Sequence, residues 1–288
     1  MGILSVSFMR PAHETKNQST LEISLSPQLT FHLSQKDQSN GSSSTGTTGT
    51  TLWLGSQCLS AYISQYHKPS RNSPDARAIE LGSGIGLSSL VLSALGYSTV
   101  YATDTDLVIN SVLARNLESN FPVIAEPGRV ILVRELDWHV PPGNWNWNDT
   151  RAIASSTMQS SGNNYLSTPF DLIITSDTVY EESLVEPLLR TLHALSIQSL
   201  AAFDSEPGSS RPPSPPLILL CLERRDPAFI DFVLASARDK WCFSTEQVPK
   251  RKLAKVMQRH VGGRREWENN QAEWDGVEIW RLLLCITN

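Results

Sequence analysis

From residue 19 to 33 apolar and polar positions alternate, with Leu21, Ile23, Leu25, Leu29, Phe31 and Leu33 spaced by twos around Pro27. This period predicts a β-hairpin. From Leu52 the spacing becomes helical, with Leu59, Tyr62, Ile63 and Tyr66 on one face, and the pattern ends before Lys68 and Pro69. A short apolar run at 78–81 then meets glycines at 82, 84 and 86, followed by a helical stripe of Leu87, Leu90, Val91, Ala94 and Leu95 that Gly96 closes. Residues 99–103 read as the next strand, and Val108, Ile109, Val112, Leu113 and Leu117 as the next helix. Strands at 130–133 and 170–175 follow, the second leading into a helix through Leu184, Leu188, Leu189, Leu192 and Leu195.

The uninterrupted apolar run at 217–222 is that of a strand covered on both faces. Asp226 and Pro227 supply an N-cap and first-turn pair for the helix carrying Phe229, Ile230 and Val233. Two closing strands are expected, around 241–248 and 277–284. Strands alternating with helices and ending in a strand pair predict an α/β fold, a Rossmann-like, seven-stranded, doubly wound sheet.

Between these elements the pattern breaks. Residues 34–51 are rich in Ser, Thr, Gly and Asn, a composition expected to form a mobile loop. Residues 141–169, rich in Pro, Asn, Ser and Trp, and residues 203–216, with Gly, Ser and five prolines, read as loop insertions. The expected organisation is an N-terminal hairpin and flexible loop over 1–51 and a single α/β domain over 52–288.

The chain has 288 residues, 40% of them hydrophobic, enough for one large core. A net charge of −5 gives no global basic field, which makes nucleic acid the weaker partner class. Cys58, Cys221, Cys242 and Cys285 are scattered without metal-ligand spacing, so no metal site is expected and a reducing compartment fits. With no apolar run of membrane-spanning length, a cytoplasmic location is expected, with the nucleus as a second address.

The chemistry gathers at strand ends. The spacing Gly82-x-Gly84-x-Gly86 lets the backbone turn sharply against a ligand, and Leu87 stands where a dinucleotide fingerprint has its third glycine. The pattern therefore leans toward S-adenosyl-L-methionine over NAD. Asp104, at the tip of the following strand, is placed to read ribose hydroxyls, and Glu80 before the turn, Gly86 at its end and Asp137 are expected with it among the cofactor-binding residues. Ligands of open α/β sheets lie off the carboxyl ends of strands, where this chain carries Gly82, Ser83, Gly84, Asp104, Asp137, Trp138, Ser176, Asp177 and Tyr180. Two readings stand for several of them. Asp104 is a ribose acceptor or a helix N-cap, Trp53 and Trp138 are adenine walls or core, and one reading of Asp177 is an N-cap for the helix that follows its strand.

Ser176-Asp177-Thr178-Val179-Tyr180 lacks the prolines of nucleobase amino-methyltransferases and resembles the D-x-x-Y motif of the eukaryotic seven-β-strand protein-lysine methyltransferases. Leu52-Trp53, residues 80–87, Ala102-Thr103-Asp104, Leu136-Asp137-Trp138, residues 171–192 and residues 275–280 look like that family in the same order, over roughly residues 50–285. The resemblance implies a class I fold with the last strand antiparallel and S-adenosyl-L-methionine as cofactor, contacted by Trp53, Gly82, Ser83, Gly84, Asp104, Trp138 and Ser176. It puts Asp177 and Tyr180 at the acceptor lysine. It also implies a protein substrate, since similar enzymes modify the AAA ATPase valosin-containing protein, translation elongation factors or ribosomal proteins. A small-molecule or RNA methyltransferase, or a silent cofactor-binding scaffold, remains the alternative. Ser176 replaces the usual Ala, and the basic run from Lys250 to Arg265, expected on a loop before the last strand, is unlike the family.

Overall fold

The computed structural model describes residues 9–36, 48–69, 75–157, 165–204 and 214–286. Among these, β1 (Thr20–Ser26) and β2 (Leu29–Ser34) form the expected antiparallel hairpin after a short helix, α1 (Ala12–Thr15). Helix α2 (Leu54–Tyr66) leads to β3 (Arg77–Leu81), α3 (Leu87–Leu95) and β4 (Thr99–Asp104). Then come α4 (Asp106–Val108), a π-helical stretch (Ile109–Leu113) and α5 (Ala114–Ile124), which run on as one helix into β5 (Val130–Leu136). The rest is β6 (Ala152–Ala154), β7 (Leu172–Ser176), α6 (Glu182–Asp204), β8 (Leu217–Glu223), α7 (Pro227–Asp239), β9 (Phe243–Gln247), α8 (Lys250–His260), α9 (Arg264–Asn270) and β10 (Val277–Leu284).

The main sheet runs β6-β5-β4-β3-β7-β8-β10-β9, parallel except for β10, which is antiparallel to both neighbours. This is the doubly wound α/β architecture expected, with one strand more than seven. The extra edge strand, β6, comes from the region read as an insertion; it pairs Ala152 with Glu135 and Ala154 with Leu136. Three small or β-branched residues suffice because Trp145, fully buried, packs this segment onto the core. Residues 158–164 of that insertion, 37–47 of the expected mobile loop and 205–213 of the second insertion lie outside the described residues. The loop's described end, Thr48–Thr50, is a 3₁₀ turn in which Thr50 is buried, so it belongs to the packed structure.

Successive strand residues point to opposite faces, and each face has its own core. Ala78, Val100, Ile174 and Cys221 pack with α2, α3 and α8, whereas Ile79, Leu81, Ile173 and Leu220 pack with α6 and α7. The hairpin joins the first core through Leu21, Ile23, Phe31 and Leu33. Its edge is covered by two asparagines one turn apart on α5. Asn116 Oδ1 accepts the Ser34 N–H at 2.8 Å and Asn120 Oδ1 the His32 N–H at 2.9 Å, while their amide groups donate back to the same residues. These side chains stand in for a neighbouring strand and satisfy backbone groups that would be costly to leave unpaired.

The basic segment 250–265 is not a loop but the amphipathic α8 and the start of α9, with Leu253, Val256 and Met257 buried and Lys250, Arg251 and Lys255 outside. No helix among the described residues is long and apolar enough to cross a membrane.

Candidate active site

The strand order reverses at β3, with β4 on one side and β7 on the other. The carboxyl ends of β3 and β7 therefore diverge into a crevice, the place where open α/β sheets hold ligands. A cavity of about 250 Å³ opens there, floored by Gly82, Ser83 and Gly84.

This turn needs its glycines. Gly82 has φ +67°, and a Cβ on it would stand 2.7 Å from Thr178 Cγ2 and 3.4 Å from the Trp138 ring. Gly84 has φ +53°, and its Cβ would meet the Gly49 carbonyl at 3.2 Å. L-residues with side chains disfavour such conformations, and here space is denied as well.

Asp104 ties the turn to β4. Its Oδ2 accepts the Gly84 N–H at 2.8 Å and its Oδ1 the N–H of Thr105 at 2.8 Å, so the carboxylate sits half-buried in the cavity wall. Desolvation raises its pKa to about 6 against the opposing effect of those two bonds. The acid is not the helix N-cap, a position Thr105 holds; it braces the glycine turn and lines the cavity.

After β5, Asp137 and Trp138 line the opposite wall. Asp137 Oδ1 accepts the His139 N–H at 2.9 Å, and Arg190 Nη2 donates to the Trp138 carbonyl at 2.7 Å, which fixes the loop from α6. Trp138 is wall and core together: it packs against the second core, yet its Nε1 is buried without a hydrogen-bond partner among the described residues. An indole N–H left this way is costly, and an acceptor atom brought by a ligand satisfies it. The glycine turn, the strand-tip acid and this orphaned donor are a donor and acceptor set that fits an adenosine-bearing cofactor.

Ser176 and Trp53 also face the cavity. Trp53 precedes α2 and donates its Nε1–H to the Thr48 carbonyl at 2.7 Å, while Thr48 Oγ1 donates to the Tyr180 hydroxyl at 3.3 Å. This chain of contacts stitches the end of the Ser/Thr/Gly loop to the strand-end motif. Sequence reading missed Thr48, Gly49 and Ser56, all cavity-lining. Only the small size of Gly49, whose Cβ would meet Val108 Cγ2 at 2.9 Å, left a trace in the sequence.

Two residues expected in contact with cofactor lie behind the wall. Glu80 is 1% exposed and accepts a hydrogen bond from Ser89 Oγ, while its carbonyl accepts Thr103 Oγ1 at 2.6 Å. It points into the α3 side of β3, and burial lifts its pKa to about 7. Gly86 is the N-cap of α3, with φ +91°, and a Cβ there would meet Leu113 and Leu117 rather than the cavity. Their task is to hold the turn.

Asp177 occupies a left-handed conformation, φ +57°. Its carboxylate accepts the N–H of Gly55 at 3.1 Å and of Ser56 at 2.8 Å, groups of the first turn of α2 that no intrahelical partner can satisfy. It is an N-cap supplied from another strand. Trp53, the local N-cap residue, offers no side-chain acceptor. Burial raises the Asp177 pKa to about 6, opposed by these bonds.

A second cavity of about 350 Å³ shares Thr48, Trp53, Asp177 and Tyr180 with the first and continues along Val179, Glu223, Arg225 and Phe229. Tyr180 stands 55% exposed on the wall common to both.

Residues 34–148 match a protein-family model described as lysine methyltransferase, so the resemblance carried by the motifs holds over that segment. The chain is 27% identical over 156 residues to methyltransferase-like protein 22 of Homo sapiens, covering 51% of this chain and 34% of that protein. It is 31% identical over 147 residues to protein-lysine methyltransferase METTL21E of Mus musculus, covering 51% of each. It thus spans no more than about half the length of these relatives. A putative SAM-dependent methyltransferase from Streptococcus mutans superposes over 92% of this chain and 56% of its own, with a TM-score of 0.49 and 8% identity.

Proposed function

We propose that the protein transfers a methyl group from S-adenosyl-L-methionine to the ε-amine of a lysine in a protein substrate. The observation that carries this reading is the cavity at the strand-order reversal, where the Gly82–Gly84 turn is bound to Asp104 and Trp138 lines the facing wall. The lysine methyltransferase match over 34–148 covers that turn, Asp104 and Trp138.

Asp104 would accept the ribose hydroxyls, since each of its oxygens keeps a lone pair beyond the backbone bond it already holds. Trp138 and Trp53 would wall the adenine and Ser176 would lie near the reacting end. Asp137 would serve from the opposite wall. The cofactor, when bound, supplies a methyl group already activated on a sulfonium.

The acceptor must arrive as a neutral amine, although a free lysine has a pKa near 10.4. Loss of water around the amine as it enters the site disfavours the ammonium form, and alignment against the methyl is worth several kcal/mol. No nucleophilic side chain is required of the protein. A protein substrate such as a translation factor, ribosomal protein or AAA ATPase, met in the cytoplasm or nucleus, is the partner in this reading; membrane has no part in it.

Labelled donor incubated with the protein and with separated protein, RNA and metabolite pools tests the assignment. Label in a protein band, removed as methyllysine on hydrolysis, supports it. Label confined to RNA or metabolites rejects it.

A further inference from the structure

The sequence offered Asp177 as the acid that meets the acceptor amine, but that carboxylate is committed to the start of α2. The second cavity holds a better candidate. We propose that this cavity receives the acceptor lysine and that Glu223 is the carboxylate that first binds its ammonium, which then gives up a proton to solvent so that the neutral amine takes the methyl; the proposal rests on the methyltransferase reading above.

Strand pairing places Glu223 there. β7 and β8 run parallel with Ser176 level with Cys221, and the Asp177 N–H continues the ladder to the Cys221 carbonyl at 3.0 Å. Glu223, two residues further, closes β8 at the same sheet edge as the D-x-x-Y turn. It lines the second cavity but not the first, whereas Trp53, Asp177 and Tyr180 line both. The cavity that Glu223 lines and the cofactor cavity are therefore neighbours on either side of the wall those residues form.

The lining suits a lysine. Val179, Phe229 and Ile230 offer an apolar path for four methylenes, and Trp53, Tyr180 and Phe229 present aromatic faces of the kind that attract alkylammonium groups. Of the three acids in the lining, Asp177 caps α2 and Asp226 spends Oδ1 on the Phe229 N–H as the N-cap of α7, which leaves Glu223. Glu223 is 27% exposed and is paired with Arg225, whose Nη2 stands 2.6 Å from its Oε2. Arg225 is 68% exposed, and an ion pair with one partner in water contributes little, so an incoming ammonium displaces it at small cost. Arg225 thus acts as a placeholder that holds the Glu223 carboxylate in position while the channel is empty.

The test uses two probes on the full chain by calorimetry: S-adenosylhomocysteine, and a bisubstrate analogue in which a 5′-nitrogen replaces the sulfur and carries a lysine-length alkylammonium arm. In the wild type the arm should tighten binding relative to S-adenosylhomocysteine. Glu223→Gln, which keeps the shape, should weaken the bisubstrate about tenfold or more and leave S-adenosylhomocysteine within about twofold. Arg225→Gln should leave the bisubstrate as tight as in the wild type or tighter, because it removes the competing cation. Equal losses in Glu223→Gln and Arg225→Gln would show a merely structural pair and overturn the proposal, as would a Glu223→Gln protein that binds both probes normally. If wild type binds neither probe, the methyltransferase reading itself fails first; if it binds S-adenosylhomocysteine but gains nothing from the arm, the acceptor channel is overturned while that reading stands.

Discussion

The carboxylate of Asp177 accepts the backbone N–H of Ser56 at 2.8 Å, so α2 begins on an acid that lies 121 residues later in the chain. One residue ties the strand-end motif to the helix that follows Trp53. The consequence is that the wall shared by the two cavities is as rigid as this cap.

Removing the cap should therefore cost stability. Asp177→Ala loses both acceptors, about 1–2 kcal/mol for an N-cap, and puts Ala in a left-handed conformation that Asp tolerates better, for a total of roughly 2–3 kcal/mol. Asp177→Asn keeps one acceptor and the conformation, and should lose less than half of that. Urea unfolding of the three proteins checks the order; an Asp177→Ala protein as stable as wild type would remove the structural role.

Gly55 gives a prediction of opposite sign to the usual rule. Glycine to alanine inside a helix ordinarily stabilises by about 1 kcal/mol. Here the new Cβ would lie 2.5 Å from Asp177 Oδ1, too close to coexist with the cap. Gly55→Ala should destabilise by about 1–3 kcal/mol, and much of the loss should vanish when it is combined with Asp177→Ala, a non-additivity that marks the clash. Thermal melts of the single and double variants measure it.

How far the site could be read from residues alone follows from distance along the chain. The Gly82–Gly84 turn and Asp104 form one β-α-β unit, so period and spacing disclosed them. The cap from Asp177 to Gly55 did not show, because nothing local to Trp53 signals a missing acceptor. Glu223 escaped for the same reason: it becomes a site residue only when β8 is set beside β7. β6 was hidden by its three-residue length, shorter than any window in which alternation can be counted. The α8 pattern was available in Leu253, Val256 and Met257, at helical spacing, but the segment's place between the two closing strands suggested a loop.

Glu80 predicts a pH dependence. Its pKa rises from about 4.3 in an unfolded chain to about 7 in the fold because the carboxylate is buried. Between those values the folded state holds the extra proton, so stability falls as pH rises through the window and the full loss is present above about pH 7. Glu80→Gln carries no such proton. The difference between wild type and Glu80→Gln in unfolding free energy should therefore shift against wild type by roughly 2–3 kcal/mol between pH 4.5 and 8. A difference that stays flat across that range would mean that Glu80 titrates normally.

Asp104 joins the same titration logic to binding. Its pKa of about 6 belongs to the unliganded site, and ribose hydroxyls donating to the carboxylate favour the ionised form. Binding of S-adenosylhomocysteine should then weaken as pH falls below 6, by about tenfold for each unit once protonation competes fully. Asp104→Asn keeps the volume but cannot gain or lose the proton, so its affinity should be low and nearly independent of pH between 5 and 7.5. Asp104→Ala should lose measurable binding altogether. Calorimetry across that range separates the outcomes: a wild-type affinity that does not change with pH, together with an Asp104→Asn protein that binds as tightly, would mean that the acid serves only to hold the Gly84 N–H. The ribose would then have to be read by a different group, and the cavity's case for an adenosine cofactor would rest on the glycine turn and Trp138 alone.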